Sequence, residues 1–91
     1  MITNLNQLAD QYAEWMETQG HGLIGDDIVR THEKLDDFRA QWGEPAVKSY
    51  SGRPVYVFDA MRPKGQPDRA RKLFILDSGI NETLLIADVD A

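Results

Sequence analysis

The chain has 91 residues, of which 42% are hydrophobic and 27% are charged; its formal net charge is -5 and it contains no cysteine. This length predicts a single domain, residues 1–91, with one modest core, and the composition is that of a globular protein. The absence of cysteine excludes disulfides, thiolate metal sites and cysteine nucleophiles. We expect a cytoplasmic protein without membrane contact, because the sequence shows no secretion signal and no stretch of about 20 apolar residues.

The charges are segregated along the chain. Residues 1–45 carry nine acids and three bases, residues 46–76 carry two acids and seven bases, and residues 77–91 carry four acids and no base. Such a distribution orients the encounter with a charged partner but does not determine the fold.

Residues 4–19 are predicted to form the first amphipathic helix. Apolar residues recur there at steps of three and four, which places them on one stripe. Asn4 and Gln7 have the spacing of a capping box, and Gly20 is a suitable terminator.

A second helix is predicted to start after Asp26 or Asp27, whose carboxylates can accept the free N–H groups of a first turn. Its apolar stripe is Ile28, Leu35, Phe38 and Trp42. It ends at Gly43, because the Pro45 that follows cannot continue a helix. The segment between the helices is short, so a helical hairpin is expected.

After Pro45 the pattern changes to β-branched and aromatic runs separated by turn residues, which is typical of strands. We predict strands at 46–50, 54–61, 71–77 and 83–89, joined by short connections into an antiparallel meander. The expected fold is therefore α+β, a helical hairpin packed on a four-stranded sheet in the order α-α-β-β-β-β.

Several of these strands are apolar on both faces, so both faces of the sheet need cover. One alternative is that the two helices divide between the faces, and another is that Tyr56 and Phe58 shield an open face themselves. The third is that another molecule covers the open face, which would make the protein a homodimer or give it a protein partner. Trp15 lies at the margin of its helical stripe. Two interpretations stay open: an exposed anchor that contacts a partner, and a residue at the edge of the core.

A basic segment, which spans the connection between the second and third predicted strands and the start of the third, is the sharpest local feature. It contains Arg62, Lys64, Arg69, Arg71 and Lys72 around two prolines and a glycine, as in an exposed hairpin tip. Three interpretations stay open: a solvated tip that discourages strand addition, a contact with an acidic protein surface, and a contact with nucleic-acid phosphates. The acidic remainder of the chain opposes the third.

No spacing in the sequence indicates catalysis, a cofactor or a metal. The glycines at 20, 22 and 25 match a dinucleotide fingerprint, but a helix precedes them and two acids occupy the place of phosphate. His32 and Asp36 lie four residues apart, and two ligands do not make a metal site. We therefore expect no enzyme activity and no cofactor.

The sequence thus favours a non-catalytic protein-interaction module, a small regulator, adaptor or inhibitor that acts by occupying a protein surface. The alternative is a nucleic-acid-binding protein that uses the basic hairpin. The candidate partner-binding residues are Tyr56, Phe58, Arg62, Lys64, Arg69, Arg71, Lys72 and Trp15.

Overall fold

The fold is a five-stranded antiparallel sheet with one helix on each face. The computed structural model describes residues 4–20, 28–61 and 70–90. The elements in chain order are α1 Leu5–Thr18, β1 Ile28–Thr31, α2 Leu35–Trp42, β2 Ala46–Tyr50, β3 Arg53–Met61, β4 Ala70–Asp77 and β5 Leu84–Asp90. The strands lie in the order β1-β5-β4-β3-β2, and every neighbouring pair is antiparallel.

The meander of the second half is confirmed, since β2, β3, β4 and β5 pair in succession with bounds within one residue of the prediction. The turn between β2 and β3 consists of Ser51 and Gly52. Both have positive φ, 48° and 79°, as the favoured two-residue hairpin turns require. Tyr50 therefore pairs directly with Arg53, and this turn fixes the register of β2.

The predicted helical hairpin and the four-strand count are wrong, because a fifth strand separates the two helices. Ile28 belongs to β1 and pairs with Ala87 of β5, and α2 begins only at Leu35. Ile28 lies seven residues before Leu35, so it fits a helical stripe by spacing. The run from Ile28 to Thr31 nevertheless contains three β-branched residues, which suit a strand better than a helix.

Helix α1 covers one face of the sheet, called here the α1 face. Asn4 caps the helix by accepting the N–H of Asn6 at 2.9 Å, and Gly20 follows its end with a φ of 84°. The buried residues of the helix pack against β2 to β5 in the larger core cluster. These helical residues are Leu8, Tyr12 and Met16.

Helix α2 covers the opposite face, called here the α2 face, so the two helices divide between the faces. Leu35, Phe38 and Trp42 face the sheet, as their spacing predicts, and the Phe38 ring lies 6.2 Å from that of Phe58. The helix ends at Gly43, which has a φ of 85°. Because β1 and β2 are opposite edges of the sheet, α2 and its connections cross the full width of the α2 face.

One row of apolar side chains spans all five strands on the α2 face. The register aligns it in the order Val47, Tyr56, Ile75, Ile86 and Val29. Ile75 at the centre is fully buried, whereas the two valines at the ends are 63% and 59% exposed. The two-turn α2 therefore covers the middle of this face and leaves both of its edges accessible.

Candidate functional site

Strand β2 is an accessible edge of the sheet. Four of its five residues, 46 to 49, are exposed, and only Tyr50 is buried. Among the strands that the structure describes, β2 pairs with β3 and with no other. The backbone N–H and C=O groups on its outer side are consequently available to another strand.

The exposed end of the apolar row lies on this edge, next to three larger side chains. Val47 pairs with the half-buried Tyr56 of β3, and the guanidinium carbon of Arg39 lies 5.9 Å from the centre of the Tyr56 ring. Trp42, one turn after Arg39 on α2, is half-buried and packs, like Tyr56, against the core cluster of the α2 face. We call these four residues, Arg39, Trp42, Val47 and Tyr56, the β2 surface.

The β2 surface contains residue types that are common in protein interfaces. Trp, Tyr and Arg are the residues most enriched among binding hot spots, and they act best beside apolar groups that exclude water. Val47 supplies such a group at the edge of the sheet. Chemically, the surface offers apolar area, one fixed cation and a free strand edge.

Carboxylates flank the cation of the β2 surface. One Arg39 nitrogen, Nη1, lies 3.4 Å from Oδ1 of Asp36, and Nε lies 3.7 Å from Oε2 of Glu44. Both carboxylates are more than four-fifths exposed, so these pairs contribute little to stability. They place carboxylates on two sides of the guanidinium and give the surface an acidic margin.

Of the residues predicted to bind a partner, Tyr56 lies in the β2 surface. Phe58 does not, because it is fully buried beneath Phe38 of α2. The idea of an uncovered sheet face is therefore wrong at Phe58, which α2 separates from solvent. A partner could reach its ring only after displacement of the helix.

Trp15 lies on the opposite face and is half-buried. Its ring stacks on that of Tyr12 at 5.8 Å and also contacts Tyr50 and Phe74, at 5.6 and 6.4 Å. It thus forms the margin of the core on the α1 face, across the sheet from the β2 surface.

The basic hairpin is described only at its base. Lys72 pairs with Asp59 across β3 and β4, with Nζ 3.4 Å from Oδ1. Arg71 lies in β4 opposite Ala60, and its side chain is outside the described part of the structure. Arg62, Lys64 and Arg69 also lie outside the described residues, so a role for the hairpin tip stays a prediction.

Sequence reasoning missed three members of the β2 surface. Val47 was predicted to lie in a strand and Trp42 on the apolar stripe of a helix, and no contact with a partner was predicted for either of them or for Arg39. Val47 is exposed because β2 is an edge strand. Whether a strand lies at the edge depends on the order of the strands in the sheet. A single sequence gives no direct signal of that order.

A concave feature lies at the N-terminal end of α2, away from the β2 surface. The connection between β1 and α2 and the turn between β4 and β5 enclose an open cleft of about 430 Å³. Its lining mixes both signs of charge with apolar groups, from His32, Lys34, Leu35, Asp77, Glu82 and Leu84 among others. Within the described residues, no group of three or more His, Asp or Glu side chains is arranged to hold a metal ion.

Comparison with known proteins gives no relative from which to transfer a role. No protein-family model matches the chain, and no curated protein and no solved structure matches it significantly. Among the described helices, neither has the length and apolar character needed to cross a membrane. Any functional conclusion has to come from the geometry of the surface itself.

Proposed function

We propose that this protein is a non-catalytic protein-interaction module, a small regulator, adaptor or inhibitor, that binds its partner through the β2 surface. The observation that carries the proposal is the 63% exposure of Val47 on an edge strand, at one end of an apolar row whose centre α2 covers. Burial of that end by a partner would complete the cover that α2 provides only for the centre of the face.

The surroundings of Val47 support the same conclusion. Tyr56 and Trp42 are each half-buried, so both keep contact area for a partner while the core already fixes their positions. Side chains that are ordered before binding lose little conformational entropy when a partner arrives. Arg39 adds a cation that could meet an acidic or carbonyl group of that partner.

The nucleic-acid alternative has weaker support. Lys72 is the basic-hairpin residue whose side chain is described, and it already pairs with Asp59. The β2 surface itself carries one cation between two exposed carboxylates, which is the wrong balance for a phosphate backbone. Binding of nucleic acid by the basic hairpin is distinguished from protein binding by the nuclease arm of the experiment that follows.

The test uses a matched pair of variants, Val47→Lys and Val29→Lys. Both valines are exposed, both lie on edge strands, and both end the same row on the α2 face. Tagged wild type and both variants are used to capture partners from lysate of the cells that produce the protein, with and without nuclease. The captured protein is then purified, and its affinity for each of the three chains is measured by calorimetry.

We expect a stoichiometric partner that survives nuclease and binds wild type and Val29→Lys equally. Val47→Lys should lose about 2 kcal/mol of binding free energy, or roughly 30-fold in affinity, as at a hot spot. Equal affinity for both variants would reject the β2 surface as the site. Recovery that depends on intact nucleic acid would reject the proposed function in favour of the basic hairpin.

A further inference from the structure

The one charged side chain of β2, that of Lys48, does not protect the outer edge of the strand. Lys48 is the charged residue of β2, and a lysine there commonly projects outward and discourages strand addition. Here Nζ of Lys48 lies 5.8 Å from the centre of the Phe74 ring, which belongs to β4, two strands inward. The ammonium therefore leans over the α1 face and does not guard the edge.

We propose that the partner at this edge is a second copy of the chain, whose β2 pairs antiparallel with the first across a two-fold axis at Val47. The inference rests on the proposed function, because it assigns a partner to the same β2 surface. An axis perpendicular to the sheet makes the two edge strands antiparallel and keeps both α2 helices on one side. The two five-stranded sheets would then join into one of ten strands.

Symmetry restricts the possible registers. Directly opposed residues of an antiparallel pair lie on the same face, so the axis has to pass at a residue and not between two residues. An axis at Lys48 would set two like charges opposite each other, which is destabilising. An axis at Ala46 would place Pro45, which has no N–H, within the ladder, and an axis at Ser49 would draw in the turn at Ser51.

The axis at Val47 avoids the like-charge pair and the turn, and it sets Pro45 opposite Ser49, at the end of the ladder and not beside the axis. Val47 then lies opposite its own symmetry mate, and Lys48 lies opposite Ala46 of the second copy, without a like charge opposite it. The apolar row, which runs from Val29 to Val47 in each chain, becomes continuous across both sheets. Tyr56 of each copy flanks the central pair of valines on the α2 face, where it helps to exclude water.

The contact is small, because β2 has only five residues. Interfaces below about 1,200 Å² are typically weak and transient, so we expect a dimer that forms at high protein concentration. Dimerisation of the wild type is measured by sedimentation equilibrium at concentrations up to about 1 mM. At that concentration even a binding free energy near about 4 kcal/mol is detectable. Val47→Lys should weaken dimerisation at least tenfold, since it sets two lysines opposite each other, and Val29→Lys should leave it unchanged.

The register is tested by single-cysteine variants, which are unambiguous because the chain has no cysteine of its own. Opposed Cα atoms in an antiparallel pair lie about 4.5–5.5 Å apart, within the range of a disulfide. Val47→Cys should therefore form a disulfide-linked dimer on mild oxidation. Lys48→Cys should link poorly, because its mate lies on a diagonal at about 7–8 Å, and Val29→Cys should stay monomeric on a non-reducing gel.

Three results would overturn the inference: a wild-type chain that is monomeric at the highest concentration, equal linking of Val29→Cys and Val47→Cys, or preferential linking of Lys48→Cys. The proposed function fails separately. A monomeric chain whose captured heterologous partner is lost in Val47→Lys would refute the dimer and keep the interaction module. A wild-type chain that neither self-associates nor captures a partner would reject both the dimer and the interaction module.

Discussion

The guanidinium of Arg39 lies over the ring of Tyr56, with 5.9 Å from its central carbon to the ring centre. This contact joins α2 to β3 at the accessible edge of the sheet, and it fixes two of the four residues of the β2 surface relative to each other. Because both side chains remain partly exposed, the interaction is of the weaker cation–π kind, about 0.5–1 kcal/mol.

A double-mutant cycle on this pair gives the first prediction. Arg39→Ala and Tyr56→Leu, singly and together, should show a coupling of about 0.5–1 kcal/mol in the free energy of unfolding, measured in urea. The distant pair Arg39→Ala and Val29→Ala serves as the control and should be additive. Additivity in the Arg39 and Tyr56 cycle would contradict a defined contact between α2 and β3.

The burial of Phe58 under α2 gives the second prediction. Phe58→Ala should lower the free energy of unfolding by about 3–5 kcal/mol, because it leaves a cavity between Phe38 and the sheet. Phe58→Leu keeps most of the volume and should cost less than about 1.5 kcal/mol, so it remains measurable if the alanine variant does not fold.

The control for Phe58 is Val47→Ala, on the same face but exposed, which should change stability by less than about 0.5 kcal/mol. If Phe58→Ala cost no more than Val47→Ala, Phe58 would be accessible in solution. The cover that α2 provides would then be incomplete at the centre of the face.

The buried hydroxyl of Tyr12 gives the third prediction. The side chain is fully buried, and its hydroxyl has no hydrogen-bond partner within the described residues. Tyr12→Phe removes an unsatisfied polar group and should raise the free energy of unfolding by about 1 kcal/mol. The control is Tyr50→Phe, which should lower it by about 1 kcal/mol, because the Tyr50 hydroxyl donates to Oε1 of Gln11 at 3.2 Å.

The same variant has a distinct signature at alkaline pH. Burial raises the pKa of Tyr12 far above its usual value of 10.0, so the native state keeps the phenolic proton while the unfolded state loses it. Stability should therefore fall as pH rises above 10, by about 1.4 kcal/mol per pH unit for this group. Tyr12→Phe should remove that part of the slope, and equal slopes in both proteins would contradict the burial of the hydroxyl.

The second half of the fold was predictable because its information is local. From Ala46 onward, short apolar and β-branched runs alternate with turn residues, and the Ser51-Gly52 turn sets strand pairing without reference to the rest of the chain. The first half was less predictable. The sequence around Ile28 is compatible with a helix, by its spacing to Leu35, and equally with a strand. Only the pairing of Ile28 with Ala87, far away in sequence, decides between the two.

The candidate site depended on the same non-local information. Tyr56 was predicted to contact a partner, but the reason given, an open sheet face, fails at Phe58 and holds only toward the β2 edge. Val47 could not be distinguished from a buried strand residue, because its exposure follows from the position of β2 in the strand order. Position within the sheet is a tertiary property, and residue type alone does not encode it.

The pairing of β1 with β5 also has a consequence for biosynthesis. Translation has to reach Ala87 before Ile28 can gain a neighbour in the sheet, and the strands on which the apolar stripe of α1 packs, β2 to β5, are all made after that helix. Such long-range pairing slows folding, because distant segments have to meet before their contacts add stability. The sheet is therefore complete only once β5 has been made, and until then the nascent N-terminal half is the part that a ribosome-associated chaperone would have to shield.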